Sequence, residues 1–277
     1  MMKYVLLSCL SVLAIAQERI VTLSPAINEI VYALGAGDMV VGNTTYSTYP
    51  EASKHVAKVG GYFSPDLEKI LALHPTIVFM QPNNRKLLAQ LEKLGIQTRI
   101  IPIDSLPHIT TAILQLGKQL HKEEKSRYIV TQIDRALKAL NGIVTGKRIL
   151  MVIGHNTSLV GNIFVVGQNL YLNDIINASG NTNALQSARK GQPILNIENL
   201  IAANPDIVIL LVHDMKKSGL SKNDLIQPWL ELPITAVKNR DIYIIDKEYT
   251  GIPSDRLIYF LQDFKKILTH VNNHQLQ

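Results

Sequence analysis

The stretch LEKILALHPTIVFM (Leu67–Met80) returns as IENLIAANPDIVIL (Ile197–Leu210), 130 positions further on (67 to 197). Glu68 meets Glu198, Pro75 meets Pro205, and an apolar run closes both copies. Each copy reads as a short helix, stopped ahead of a proline and followed by a buried strand. Building one corner twice implies two similar halves.

Working outward, RIVTL (Arg19–Leu23) is a short apolar strand, and SPAINEIVYALGAG behind it is a helix. Ser24 suits its N-cap, Pro25 its first turn, and Gly35 or Gly37 its stop. MVVGNTTY gives a strand and loop, SPDLEKILALHP a helix started by Ser64-Pro65, and TIVFM a third strand. RKLLAQLEKLG and TRIIPI add a helix and a strand. In the second half RILMVIG, DIVILLV and DIYIID are strand-like, while LYLNDIINASG and IENLIAANP are helical. A last helix over 254–271 carries Leu257, Leu261, Phe264, Leu268 and Val271 at helical spacing. Strands alternating with helices predict α/β lobes built on mainly parallel sheets.

Between the halves lies HKEEKSRYIVTQIDRALKAL (His121–Leu140), with Ile129, Ile133, Ala136, Leu137 and Leu140 on one face and charges on the others. It contains neither Gly nor Pro. About eighteen helical residues would span roughly 27 Å and resist bending, so little lobe closure is expected. The predicted organisation is a leader over 1–16, an N-terminal lobe over 17–120, a connecting backbone helix over 121–146 and a C-terminal lobe over 147–277. The fold class is α/β: two Rossmann-like lobes with mainly parallel sheets, joined by a single long helix.

MMKYVLLSCLSVLAIAQE begins with one lysine and a mostly apolar run ending in Ala14-Ile15-Ala16. That is the pattern of a secretory signal peptide, too short to span a bilayer. Leu6-Leu7-Ser8-Cys9 loosely imitates a lipoprotein cleavage box, but the apolar stretch before it is very short. With cleavage after Ala16 the remaining chain has no cysteine, which excludes a disulfide framework and thiolate chemistry. The net charge of +6 is spread along the chain with few aromatics, so nucleic acid is not an expected partner.

RIVTLSPAINEIVYALG, VGNTTYSTYPEA, VGGYFSPDLEKILALHPTIV and IENLIAANPDIVIL together resemble the helical-backbone class of periplasmic solute-binding proteins, over essentially the whole chain after the leader. Members of that class serve ABC importers of corrinoids, ferric siderophores and haem. The resemblance implies a periplasmic monomer that carries a metal chelate between its lobes and delivers it to a permease dimer, with no cofactor of its own. It also implies permease docking by one surface glutamate per lobe, here Glu68 and Glu198. Each would open a helix, where the macrodipole favours a carboxylate, and pair with arginines. A two-fold permease would need two such plugs.

Against the family's vitamin B12-binding member, Tyr46 and Tyr62 fall at cleft aromatic positions and Phe164 at a third. Gln192 stands where that protein has a tryptophan. Glu248 and Tyr249 lie in KEYTGIPSDR, matching a polar cleft loop; Ile252 takes the place of its ligand-contacting arginine, and Arg256 is expected to serve its own helix. Read alone, Tyr46, Tyr49, Tyr62 and Phe164 are aromatics in loop-like sequence, able to cover a planar ligand.

Two other readings stay open. Haem iron could take Tyr46, Tyr62 or His213 as a ligand, whereas a bare-metal receptor would need several converging ligands. Of eight histidines only His270 and His274 stand at ligand spacing on a helix. No nucleophile elbow or phosphate loop occurs, so the enzyme alternative reduces to a secreted hydrolase using Glu68 and Glu198 as paired carboxylates. The expectation is a binding protein with no catalytic or resident metal site.

Overall fold

Four apolar runs of the sequence become the central strands of two sheets. In the computed structural model, which describes residues 18–187 and 192–275, strands β1 (Ile20–Thr22), β2 (Val40–Asn43), β3 (Ala57–Lys58), β4 (Ile77–Met80) and β5 (Gln97–Ile100) form the first. Their order is β3-β2-β1-β4-β5 and every pairing is parallel. Helices α1 (Pro25–Ala33), α2 (Glu51–Lys54), α3 (Leu67–Ala72) and α4 (Arg85–Lys93) connect them. The chain then leaves through α5 (Leu106–Gln119) and α6 (Glu123–Lys138).

The second sheet holds β6 (Arg148–Ile153), β7 (Ile163–Val165), β8 (Thr182–Asn183), β9 (Ile194–Leu195), β10 (Ile207–Val212) and β11 (Ile242–Asp246). Its order is β11-β10-β6-β7-β9, with β8 also paired to β6. β6, β8, β10 and β11 run parallel, but β7 pairs antiparallel with β6 and β9. Helices α7 (Tyr171–Ala178), α8 (Ile197–Ala203), α9 (Lys222–Leu230), α10 (Thr235–Lys238) and α11 (Leu257–Gln275) complete the lobe.

Alternation along the central strands explains why they read as unbroken apolar runs. Ile77 and Phe79 face a core shared with Ile149, Met151, Ile207 and Ile209 of the other lobe. Val78 and Met80 face a cluster private to the first lobe, and Leu150, Val152, Val208 and Leu210 one private to the second. Both faces are buried, as parallel sheets require. The lobes therefore touch through a common apolar layer as well as through the chain between them.

Helix α6 lies in that layer, packed on α5 and on α11. Ile133 is fully buried and Ile129, Val130, Ala136 and Leu137 pack beside it. The helix has 16 residues, about 24 Å of axis, shorter than the 121–146 segment of the sequence reading. His121 has a left-handed backbone, as do Gly142 and Gly146, so both ends of that segment turn rather than coil.

Three local expectations change. α3 is capped by Asp66, not Ser64, because the Asp66 carboxylate reaches the Lys69 N–H at 3.1 Å. Ser24 does sit at the N-cap of α1, but its hydroxyl accepts from Gln81 instead of capping. The final helix starts at Leu257, after the Ser254–Arg256 segment, and runs to Gln275. The leader, with Cys9, lies outside the described residues, and no described helix is long and apolar enough to cross a membrane.

Candidate functional site

The repeated corner is built in the same way in both lobes. Asp66 accepts the Lys69 N–H at 3.1 Å, and Asn196 accepts the Asn199 N–H at 2.9 Å. Each opens a helix whose second residue is the glutamate, Glu68 in α3 and Glu198 in α8. Both glutamates are exposed, and neither has a hydrogen-bond or ion-pair partner among the described residues. Past the far ends, His74 (φ 46°) and Asn204 (φ 36°) take the left-handed conformation ahead of Pro75 and Pro205. Thr76 Oγ1 then accepts the Arg19 N–H at 2.9 Å, and Asp206 Oδ2 the Arg148 N–H at 2.7 Å. The geometry recurs while the side chains change, so the corner is a backbone design with a carboxylate held at its front. Free N–H groups in the first helical turn favour that charge.

Exposed aromatic and polar side chains gather at the carboxyl ends of the parallel strands, the usual ligand edge of such sheets. In the first lobe the loop after β2 carries Tyr46, 65% exposed, and Tyr49. Beneath it Lys58 Nζ donates to Asn43 Oδ1 (2.7 Å), Ser53 O (2.9 Å) and Ser47 O (3.1 Å). Asn28 Nδ2 donates to Tyr49 O at 3.2 Å. Burial lowers the Lys58 ammonium pKa. This polar base fixes the loop without using the exposed ring of Tyr46.

Behind β3, the Tyr62 hydroxyl donates to Gln81 Oε1 at 2.8 Å, and Gln81 Nε2 to Ser24 Oγ at 2.7 Å. That string links the ends of β1, β3 and β4 and locks the Tyr62 ring; burial raises the phenol pKa. Phe63 packs edge-on to Tyr62 at 4.6 Å yet stays 83% exposed.

The second lobe offers a different edge. Phe164 lies in β7, half exposed, opposite the exposed Ile194 of β9. Gln192, just before β9, and Glu248, after β11, are exposed. His155 and His213 follow the neighbouring strands β6 and β10, their rings edge-to-face at 5.9 Å. Tyr249 turns inward: its hydroxyl donates to Asp263 of α11 and its ring packs near Tyr259. Burial and the Asp263 carboxylate push its phenol pKa up. The phenol head of Tyr249 is thus spent on the last helix.

The two edges meet where the Arg256 guanidinium lies 3.9 Å above the Tyr49 ring. Arg256 does not serve its own helix as the sequence suggested; it reaches Glu29 of α1 in the other lobe. The pair lies buried in the apolar surroundings of α1, out of reach of local reasoning.

Residues 20–249 match the family described as periplasmic binding protein. The chain belongs to this family. Among the similar proteins, a vitamin B12-binding protein of Vibrio vulnificus (strain CMCP6) is 28% identical over 263 residues, covering 93% of this chain and 92% of that protein. An ABC transporter substrate-binding lipoprotein, YvrC, of Bacillus subtilis (strain 168) is 28% identical over 248 residues, covering 87% of this chain and 76% of that one. The apo structure of the periplasmic heme-binding protein RhuT from Roseiflexus sp. RS-1 superposes with a TM-score of 0.75 at 25% identity, covering 92% and 99% of the two chains. As the resemblance implied, this periplasmic binding protein has the two-lobed α/β fold of receptors that serve ABC importers.

For this binding protein the sequence reading missed Phe63, Ile194, His155 and Glu29. Phe63 carried a signal, an aromatic between Gly-Gly and Ser-Pro, where a ring has no strand or helix to pack in. Glu29 carried one too, as a carboxylate on the otherwise apolar face of a helix. His155 and Ile194 carried none, since their neighbours are set by strand pairing. Among the described residues no group of three or more His, Cys, Asp or Glu is placed to hold a metal ion.

Proposed function

We propose that this periplasmic binding protein captures a metal chelate between its lobes and hands it to the permease dimer of an ABC importer. The chelate is taken as a flat tetrapyrrole, a corrinoid or haem, in preference to a ferric siderophore. Support comes from relatives named for vitamin B12 and for heme and from exposed rings on both edges. Tyr46, Tyr62, Phe63 and Phe164 would cover the macrocycle's apolar surface, while Gln192 and Glu248 meet its polar rim. Tyr249, with its hydroxyl turned to Asp263, contributes through its backbone loop.

The observation that carries the delivery step is the duplicated corner, with one exposed, unpartnered carboxylate at the front of each lobe. Arginines of a two-fold membrane partner would bind Glu68 and Glu198 by charge-assisted hydrogen bonds, which set orientation and encounter rate. The shared apolar core between the lobes opposes wide opening, so release needs a pull from outside on both.

Titration of the purified protein with cyanocobalamin, haemin and a ferric catecholate, followed by visible absorption, tests the cargo. Saturable binding of a tetrapyrrole is expected. Binding of the catecholate alone would overturn the tetrapyrrole assignment, and binding of none would overturn the receptor reading.

A further inference from the structure

Helix α1, PAINEIVYA, buries Ala26, Ile27, Asn28, Ile30 and Val31, and among them Glu29, only 4% exposed. A carboxylate in such a place is costly unless it is paired. Its partners come from the other lobe. Ser254 Oγ donates to Glu29 Oε2 at 2.6 Å and Arg256 Nε to the same oxygen at 2.9 Å, while Arg256 Nη2 donates to Oε1. This is a two-pronged guanidinium–carboxylate fork, and Arg256 is itself only 6% exposed.

The same guanidinium, forked to Glu29 through its edge, also lies over the ring of Tyr49 in the first-lobe cargo loop, with Cζ 3.9 Å from the ring centroid. Tyr49 is held from behind by Asn28, the neighbour of Glu29 on α1. Arg256 thus enters the first lobe between a buried carboxylate and an aromatic ring. Around the fork stand Asp255, Glu248 and the Tyr171 phenol; burial and then the Glu29 charge raise the pKa of Asp255 and of Tyr171, and the Glu248 charge adds to the rise at Glu29. Burial raises the Glu29 pKa, and its two donors offset only part of that rise.

A buried ion pair adds little stability over an apolar contact of the same shape, but it is directional. Apolar burial in the shared core is non-directional, whereas the fork satisfies its atoms in one lobe arrangement only. We propose that Arg256 is a positioning residue for cargo binding, an interlobe tie that fixes the cleft spacing and the ring of Tyr49 and must part when cargo is released. This rests on the receptor reading above.

The test uses the full chain with Cys9→Ser, carrying spin labels at Lys93→Cys on α4 and Lys238→Cys on α10, both exposed. Pulsed electron resonance reads the interlobe distance without cargo, and cyanocobalamin and haemin titrations read affinity. The parent should give one narrow distance. Arg256→Met and Glu29→Gln should broaden it and weaken chelate binding about tenfold or more. Arg256→Lys, which keeps the charge but loses the fork, should fall between. If Arg256→Met does not fold, Arg256→Lys and Ser254→Ala decide. Variants that lose melting temperature while keeping the parent distance and affinity would overturn the tie. A parent that binds neither chelate would sink the tetrapyrrole assignment instead, and the distances would still judge the tie's hold on cleft spacing.

Discussion

The corners at Glu68 and Glu198 are near-copies, while the proposed cargo edges beside them are not. α3 and α8 share an Asx cap, a glutamate in second position, a left-handed exit and a proline. The first cargo edge is aromatic, pinned by Lys58 and by the Tyr62–Gln81–Ser24 string. The second carries an antiparallel insertion with Phe164 and Ile194, plus His155, His213 and Glu248. A dimeric partner would call for two like contacts, whereas a single cargo molecule has no such symmetry. On the proposed function one edge of the fold would serve both demands, and only one of them is repeated.

The strongest way to break this comparison is to remove the corners one at a time. Glu68→Ala and Glu198→Ala should each cut uptake in cells by about ten- to a hundredfold, by the usual worth of a charge-assisted hydrogen bond. The double variant should abolish uptake while chelate affinity stays within about twofold. Strongly unequal single effects would end the equivalence of the lobes, and lost chelate affinity would move these glutamates into the cargo site.

A smaller effect distinguishes the edges by pH. Burial and the Glu29 charge push the Asp255 carboxyl up to about 6, from an ordinary 3.8, and its Oδ1 is buried without a partner. A raised carboxyl favours the folded state most at low pH. Its contribution is fully present below about pH 4 and is lost as pH rises through about 6, on the order of 3 kcal/mol. The melting temperature should therefore fall between pH 4 and 7, and Asp255→Asn should flatten that fall. An unchanged slope in the variant would place the titrating group elsewhere.

The smallest effect sharpens the likeness of the corners. Asp66→Ala and Asn196→Ala should each cost about 1 kcal/mol in urea unfolding, the usual worth of an N-cap. Similar losses would show two equivalent caps; a loss in one lobe alone would show that the other corner is held by its packing.

The corners were legible as a repeat because the helix, its glutamate and the proline are local, although the Asp66 cap was read as Ser64 and the bonds of Arg19 to Thr76 and Arg148 to Asp206 join distant residues. An Asx cap acts over three residues, a left-handed exit sits just before its proline, and the strand behind alternates between two buried faces. The same locality made the amphipathic stripe of α6 readable, with Ile133 at its centre. The cargo edges were only half legible. Tyr46 and Tyr62 stood out as rings in loops, but Phe164 lies in a strand whose antiparallel pairing no neighbouring residue announces. Tyr249 looked equally available, and Asp263, fourteen residues on, claims its hydroxyl.

By itself the sequence determined the duplication, the two parallel α/β units, the stiff helix between them and a glutamate at the front of each corner, because repeats, caps and periodicity act over a few residues. Tertiary structure alone decided how the halves face each other. Glu29 and Arg256 lie 227 residues apart, and a buried charge finds its partner only once two apolar surfaces have closed around both.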